Sequence, residues 1–271
     1  MFSEEYRLLT QEAHLAKSAL LSGMDSLRKA NLDDKGLFYA GLFQLSTGFE
    51  RLLKLVVVLH HKAENNHKYP SNKELRDYSH DINKLYPMAV EIGKIHLPHR
   101  DMQLDDIQLE IINVLSQFGK GSRYYNLDVL TQDNKNEDPL ALWKEVIDSH
   151  LWELRPSVRE QLQINAGNYV DKWNLHSNYS QERHLDGGFM TVFEFHYYYT
   201  GIEKVSPRII WTIITILNPF YFLLQSLVER LFDLEDELGI ESRIPHLYEF
   251  FPFFLCFKEQ VLKKKQWSWK R

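Results

Sequence analysis

The sequence predicts an all-α fold, a multi-helix up-and-down bundle, and three observations predict it. Apolar residues recur at spacings of three and four through most of the chain. These periodic segments are separated by short breaks rich in polar residues, proline or glycine. No stretch alternates apolar and polar residues long enough to argue for a sheet. At 271 residues the chain can form one large domain or two small ones. A chain of that size buries about three quarters of its unfolded surface without a disulfide or a metal. Hydrophobic residues at 44% and charged residues at 25% exclude general disorder. With 16 Phe, 14 Tyr and 6 Trp, the core should be rich in large rings.

The first helix is expected over 4–30, where Tyr6, Leu9, Ala13, Ala16, Leu20, Met24 and Leu27 form one apolar stripe. Asn31-Leu32-Asp33-Asp34 breaks it. A second helix from Lys35 to Lys62 carries Phe38, Leu42, Leu45, Phe49, Leu52, Val56 and Leu59. It is apolar on nearly all sides between Leu52 and Leu59, so it should be the most buried element. Ser71 and Glu74 have the spacing of a capping box, which starts a segment running through Ile95. His96-Leu97-Pro98-His99 closes that segment, because proline cannot continue a helix. Leu104 to Phe118 is amphipathic and ends at the cap Gly119-Lys120-Gly121. Residues 122–138 read as irregular and polar. Pro139 suits the first turn of a long helix over 139–174, with Arg155-Pro156 as its interruption. A loop is expected over 176–188. Helical patterns resume over 189–203 and 207–238, and Gly239 ends the latter.

Cys256 is the single cysteine, so an intramolecular disulfide is impossible and a reducing, cytoplasmic compartment is expected. The acidic start Met1-Phe2-Ser3-Glu4-Glu5 does not read as a signal peptide. Ile209 to Leu227 is free of charge and long enough to span a bilayer. Asn218-Pro219 at its centre, with Thr212, Thr215, Gln225 and Ser226, argues instead for two core helices meeting at Pro219, and no membrane partner is expected. The net charge of −5 gives no overall drive toward nucleic acid, so such binding needs a local basic patch. The compact basic cluster is the tail 263–271, whose Trp267 and Trp269 could stack on bases. Its plainer reading is a solvated tail.

No cofactor or metal site is expected. The chain contains no His-Glu-x-x-His, no cysteine pair and no phosphate-binding loop, and it lacks a nucleophile elbow. His60-His61 ends a helix, where a cation or donor suits the dipole. Three polar clusters remain. Glu50 and Lys54 are four apart within an otherwise apolar helix, where charges occur paired or at a functional surface. His80 and Asp81 precede a short amphipathic turn. Arg123, Tyr124, Asn126 and Asp128 form a group of donors and stacking rings after a helix. The plainer readings of the last two are a solvated helix end and a solvated loop.

An apolar helix with a Phe49-Glu50-x-Leu52-x-Lys54 core, a loop, and a His80-Asp81-Ile82 turn leading to Leu85-Tyr86 resembles the HEPN group of helical bundles. The matching stretch is Phe38 to Tyr86, and Ser122–Asp128 resembles a segment of uncharacterised bacterial members. The resemblance implies a HEPN-like helical core over 1–130, with additional helices over 139–271 packing on the same core, commonly as a homodimer. Active members of the group are metal-independent ribonucleases that use an Arg, four to six further residues, and a His. The Arg steadies phosphate charge and the His acts as general acid or base. Many belong to defence or toxin–antitoxin systems; others only bind nucleotide or RNA. Here Arg7 with His14 is the pair at that spacing, but it lies in the first helix rather than late in the bundle. The plainer expectation for it is two solvent-facing polar residues. Arg76 and His80 are too close for the pattern. The functional expectation is therefore an RNA- or nucleotide-binding helical protein. A ribonuclease is the alternative. A protein-interaction module docking through Phe250-Phe251-Pro252-Phe253-Phe254 is a third reading.

Overall fold

A computed structural model describes residues 3–77, 79–132, 136–241 and 243–267, and among these it contains ten α-helices and one two-stranded hairpin. The all-α class predicted from periodicity is the one observed. Helix α1 (Glu4–Lys29) starts where the Ser3 side chain accepts the backbone N–H of Tyr6. Helix α2 (Gly36–Glu64) follows a turn at Asn31–Asp34 and runs back along α1. Their backbones approach closely because glycines line the seam. A β-carbon built on Gly23 would lie 2.9 Å from the backbone N of Leu45, and one on Gly48 would lie 2.9 Å from that of Leu20. From Leu52 to Leu59, α2 is buried except at Lys54 and Val58, which are half-buried.

The capping box at Ser71 and Glu74 is made, with both reciprocal hydrogen bonds present, but it starts only the short α3 (Asn72–Asp77). The expected single helix through Ile95 is broken near Ser79, whose φ of +48° cannot belong to a right-handed helix. Helix α4 (Ile82–His96) then runs with Pro87 in its second turn. Asp105 and Gln108 form a full capping box at the start of α5 (Asp106–Lys120). The segment expected to be irregular contains a 3-10 turn (Ser122–Tyr124) and α6 (Tyr125–Leu130). Asp138 caps α7 (Pro139–Trp152), with Pro139 at its first turn. Arg155-Pro156 does interrupt the next segment, and α8 (Pro156–Trp173) lies against α9 and buries Leu162, Ala166 and Val170.

Two expectations fail in the C-terminal half. The loop over 176–188 largely forms an antiparallel hairpin, β1 (Tyr179–Arg183) with β2 (Phe189–Thr191). Its strands are too short and exposed to show an alternating pattern. The helices expected to separate near 204–206 and meet at Pro219 are one helix, α9 (Val192–Leu238), which contains both Pro207 and Pro219. An internal proline costs about 3 kcal/mol, and tertiary packing outweighs that here. α9 touches α1, α2, α4, α5, α7, α8 and α10. It is long and apolar enough to cross a membrane, and half of its most apolar window is buried in the fold.

One apolar cluster runs from Leu9 to Trp267 and draws on both halves of the chain. The aromatic segment expected to dock a partner belongs to that cluster. Phe251 and Phe254 are fully buried and Phe253 nearly so, which removes the exposed patch that the interaction reading needs. In the tail, Lys263, Lys265 and Gln266 are exposed as the plainer reading expects, but Trp267 is not. Helix α10 (Lys258–Lys263) is followed by Trp267, which is buried and donates its backbone N–H to Asp25 on α1. Trp267 is therefore a core anchor rather than a solvated or base-stacking ring. Residues 268–271, including Trp269, lie outside the described residues.

Candidate functional site

Glu50, Lys54, His80 and Asp81 come together where α2, the start of α4 and the end of α5 meet. Glu50 and Lys54 are one turn apart on α2, and the Lys54 ammonium donates to Glu50 Oε1 at 2.7 Å. The other carboxylate oxygen, Oε2, lies 2.9 Å from His80 Nδ1. Glu50 is 17% exposed and His80 57%, so the carboxylate is set back beneath the ring. An ionised carboxylate only accepts, so this contact is a hydrogen bond when His80 carries a proton on Nδ1. Gly119 lets α5 close on this turn, since a β-carbon there would lie 3.1 Å from the His80 carbonyl oxygen.

Asp81 precedes α4 without capping it directly. Its Oδ1 accepts the hydroxyl of buried Ser116 at 2.9 Å, and that hydroxyl accepts the backbone N–H of Asn83 at 3.1 Å. Ser116 on α5 thus supplies the N-terminal cap that Asp81 would otherwise give. Lys120 and Lys84 approach Asp81 Oδ2 at 3.6 and 4.0 Å.

The second group lies just beyond the end of α5. The Arg123 guanidinium sits 5.1 Å from the centre of the exposed Tyr124 ring. Asn126 and Asp128 turn toward structural partners instead: Asn126 donates to the Tyr39 hydroxyl at 3.3 Å, and Asp128 accepts from Asn136 at 2.8 Å. No hydrogen bond or ion pair among the described residues joins this group to Glu50, His80 or Asp81. The polar clusters therefore form separate contact groups.

Arg7 and His14 make separate contacts. Arg7 lies 3.7 Å from Glu4 in an exposed ion pair, while His14 packs edge-on against Phe250 at 4.7 Å. Both are exposed, as the plainer expectation had it.

Two polar groups were not anticipated from the sequence. Lys62, read only as the end of the second helix, is fully buried. Its three N–H groups have three acceptors: Glu5 Oε1, His67 Nδ1 at 3.0 Å and the His67 carbonyl at 3.0 Å. His67 Nε2 then donates to buried Glu235 at 3.1 Å, and the Tyr69 hydroxyl donates to Glu5 at 2.7 Å. The second group is His60 with His96, ring nitrogens 3.1 Å apart, and Glu64 beside them. Burial holds both imidazoles below the ordinary histidine range, and for His96 the neighbouring His60 adds to this. The i, i+4 spacing of His60 and Glu64 is visible in the sequence, whereas the approach of His96 from α4 is not.

The well-formed clefts lie away from the predicted residues. A cleft of about 650 Å³ is lined by Asp148, Trp152, Arg159, Glu160, Tyr197 and Tyr198. Another, of about 260 Å³, is lined by His60, His61, Glu64, Glu74 and Met88. Comparison with family models, curated proteins and solved structures finds no match to this chain.

Proposed function

We propose that this chain is a HEPN-like cytoplasmic helical protein, homodimeric, that binds RNA or a nucleotide on the face formed by α2, the start of α4 and the end of α5. The observation that carries this reading is the Glu50-centred arrangement, in which one set-back carboxylate holds Lys54 on one oxygen and His80 on the other. Lys84 and Lys120 flank Asp81, Arg123 follows Lys120 by three residues, and Glu50 and Asp81 are already paired. A phosphate group therefore meets a local excess of donors despite the net charge of −5. Tyr124, 53% exposed beside Arg123, offers a ring on which a base can stack. The shallow surface suits a contact to the phosphate backbone better than an enclosed ligand.

The test is fluorescence anisotropy with a labelled single-stranded RNA at low salt. Saturable binding is expected, weakening steeply as salt rises. The double variant Lys120→Ala/Arg123→Ala should weaken it at least tenfold and flatten the salt slope. No saturable binding, or equal binding by that variant, overturns the reading. Light scattering tests the homodimer.

A ribonuclease reading is favoured by one feature, the contact from Glu50 that holds the exposed His80 ring by Nδ1. It predicts RNA cleavage that survives EDTA, is lost in His80→Ala and persists in His14→Ala. Cleavage unchanged in His80→Ala would sink that assignment.

A further inference from the structure

Where α2 ends against the end of α4, three ligand-type side chains face one another. His60 and Glu64 are one turn apart on α2, and His96 is the last residue of α4. Their donor atoms all lie within 4.8 Å of one another. We infer that His60, Glu64 and His96 form a binding site for a single divalent ion of the zinc class.

The geometry carries the inference. Two imidazole nitrogens bound to one ion at about 2.05 Å are about 3.3 Å apart in a tetrahedral site and about 2.9 Å apart in an octahedral one. His60 Nδ1 and His96 Nε2 are 3.1 Å apart, between those values. Both histidines stand on helices, so their separation is set by the fold rather than by a loop. The end of α4 is further tied to α9, where the Ser226 hydroxyl donates to the His96 carbonyl at 3.2 Å. Glu64 is exposed, and no described residue pairs with its carboxylate, so it is free to swing the remaining distance.

The chemistry of the donors selects the ion. Two imidazoles with one carboxylate suit Zn²⁺, Co²⁺ or Ni²⁺, whereas Mg²⁺ and Ca²⁺ prefer all-oxygen sites. Without metal, one ring donates its N–H to the other ring's nitrogen. On binding, that proton moves to the other nitrogen of its own ring and both lone pairs reach the ion, with no net proton release between neutral rings. The positive charge of Arg230 reaches His96, and Arg230 is itself paired with Glu237 at 3.3 Å. Three protein ligands leave a fourth position for water, and His60 and Glu64 also line the 260 Å³ cleft. The site lies about 15 Å along α2 from Glu50, so it is independent of the proposed RNA face.

Isothermal titration of EDTA-stripped, dialysed protein with ZnCl₂ tests the assignment. One equivalent is expected to bind with micromolar or tighter affinity, and MgCl₂ should give no binding. Glu64→Gln changes an exposed side chain without touching the core and should weaken zinc at least tenfold. His60→Gln and His96→Gln should weaken it more, while His99→Gln should leave it unchanged. Bound Co²⁺ should show the visible bands of a tetrahedral site, and these should be lost in Glu64→Gln. Absence of saturable zinc binding, or equal affinity in Glu64→Gln and His60→Gln, overturns the assignment.

Discussion

Replacing Lys62 with alanine removes a cation that the fold has enclosed completely and takes a donor from both Glu5 and His67. Glu5, whose side chain is 16% exposed, loses its closest positive charge, since Arg243 stands off at 3.9 Å. His67 loses two contacts at once, on its ring and on its carbonyl. Those contacts hold the turn after α2, where Asn66 and His67 sit at φ of +51° and +65°, a conformation costly for residues other than glycine. Removing one partner from a buried ion pair costs about 3–5 kcal/mol. For a chain of this size that corresponds to a fall in Tm of about 5–9 °C. Urea denaturation followed by circular dichroism measures the first quantity and calorimetry the second. Lys62→Met keeps the aliphatic stem and separates charge from volume, and the double variant Lys62→Met/Glu5→Gln should recover part of the loss. A stability for Lys62→Ala within about 1 kcal/mol of the parent would refute the reasoning, because a solvated ammonium costs that little to remove.

Three further perturbations have expected outcomes. Gly48→Ala introduces a better helix former, yet it should destabilise by about 1–3 kcal/mol, because its β-carbon meets the Leu20 backbone and forces α1 from α2; a stabilised variant in urea melts would contradict the close seam. Trp267→Ala should cost about 3–5 kcal/mol as a buried aromatic, and an unchanged urea midpoint would mean the ring is not anchored. Stability should fall on acidification from about pH 6.5, the unfolded histidine value. His150 is buried, with Nδ1 donating to the Val146 carbonyl at 2.8 Å and Nε2 accepting from Thr212 at 2.9 Å, and burial pushes its pKa down. The unfolded chain therefore takes up protons that the native state refuses, so stability is full above that pH and declines below it. A urea midpoint equal at pH 7.5 and 5.5 would contradict this.

Legibility followed the range of the interactions involved. The starts of α1 and α7, the capping box at Ser71 and the break at Arg155-Pro156 depend on neighbours within four residues, and their residue types announce them. The Glu50–Lys54 pair was readable for the same reason, while its approach to His80 followed from two clusters that the sequence shows only separately. What escaped was set by distant partners. Pro219 looks like a helix end until contacts from both halves of the chain hold α9 together through it. Lys62 looks solvent-facing by type and Trp267 by its place in a basic tail, and partners far away in sequence, Glu5 and Asp25, help to draw them inside. His60 and His96 are 36 residues apart, a separation no local period encodes.

The way α8 is attached has a dynamic consequence. α8 packs mainly on α9 and buries just Leu162, Ala166 and Val170, whereas α2 buries fifteen residues, so opening α8 releases less buried area than opening α2 would. It should therefore detach as a separate unit well below the global unfolding free energy, with its amide protons exchanging before those of α1, α2 and the middle of α9. Because Arg159, Glu160 and Gln163 on α8 form one wall of the 650 Å³ cleft, each such opening also dismantles that cleft and bares Tyr197 and Tyr198 to solvent. Hydrogen exchange at α8 would therefore also report how often that cleft is open to solvent.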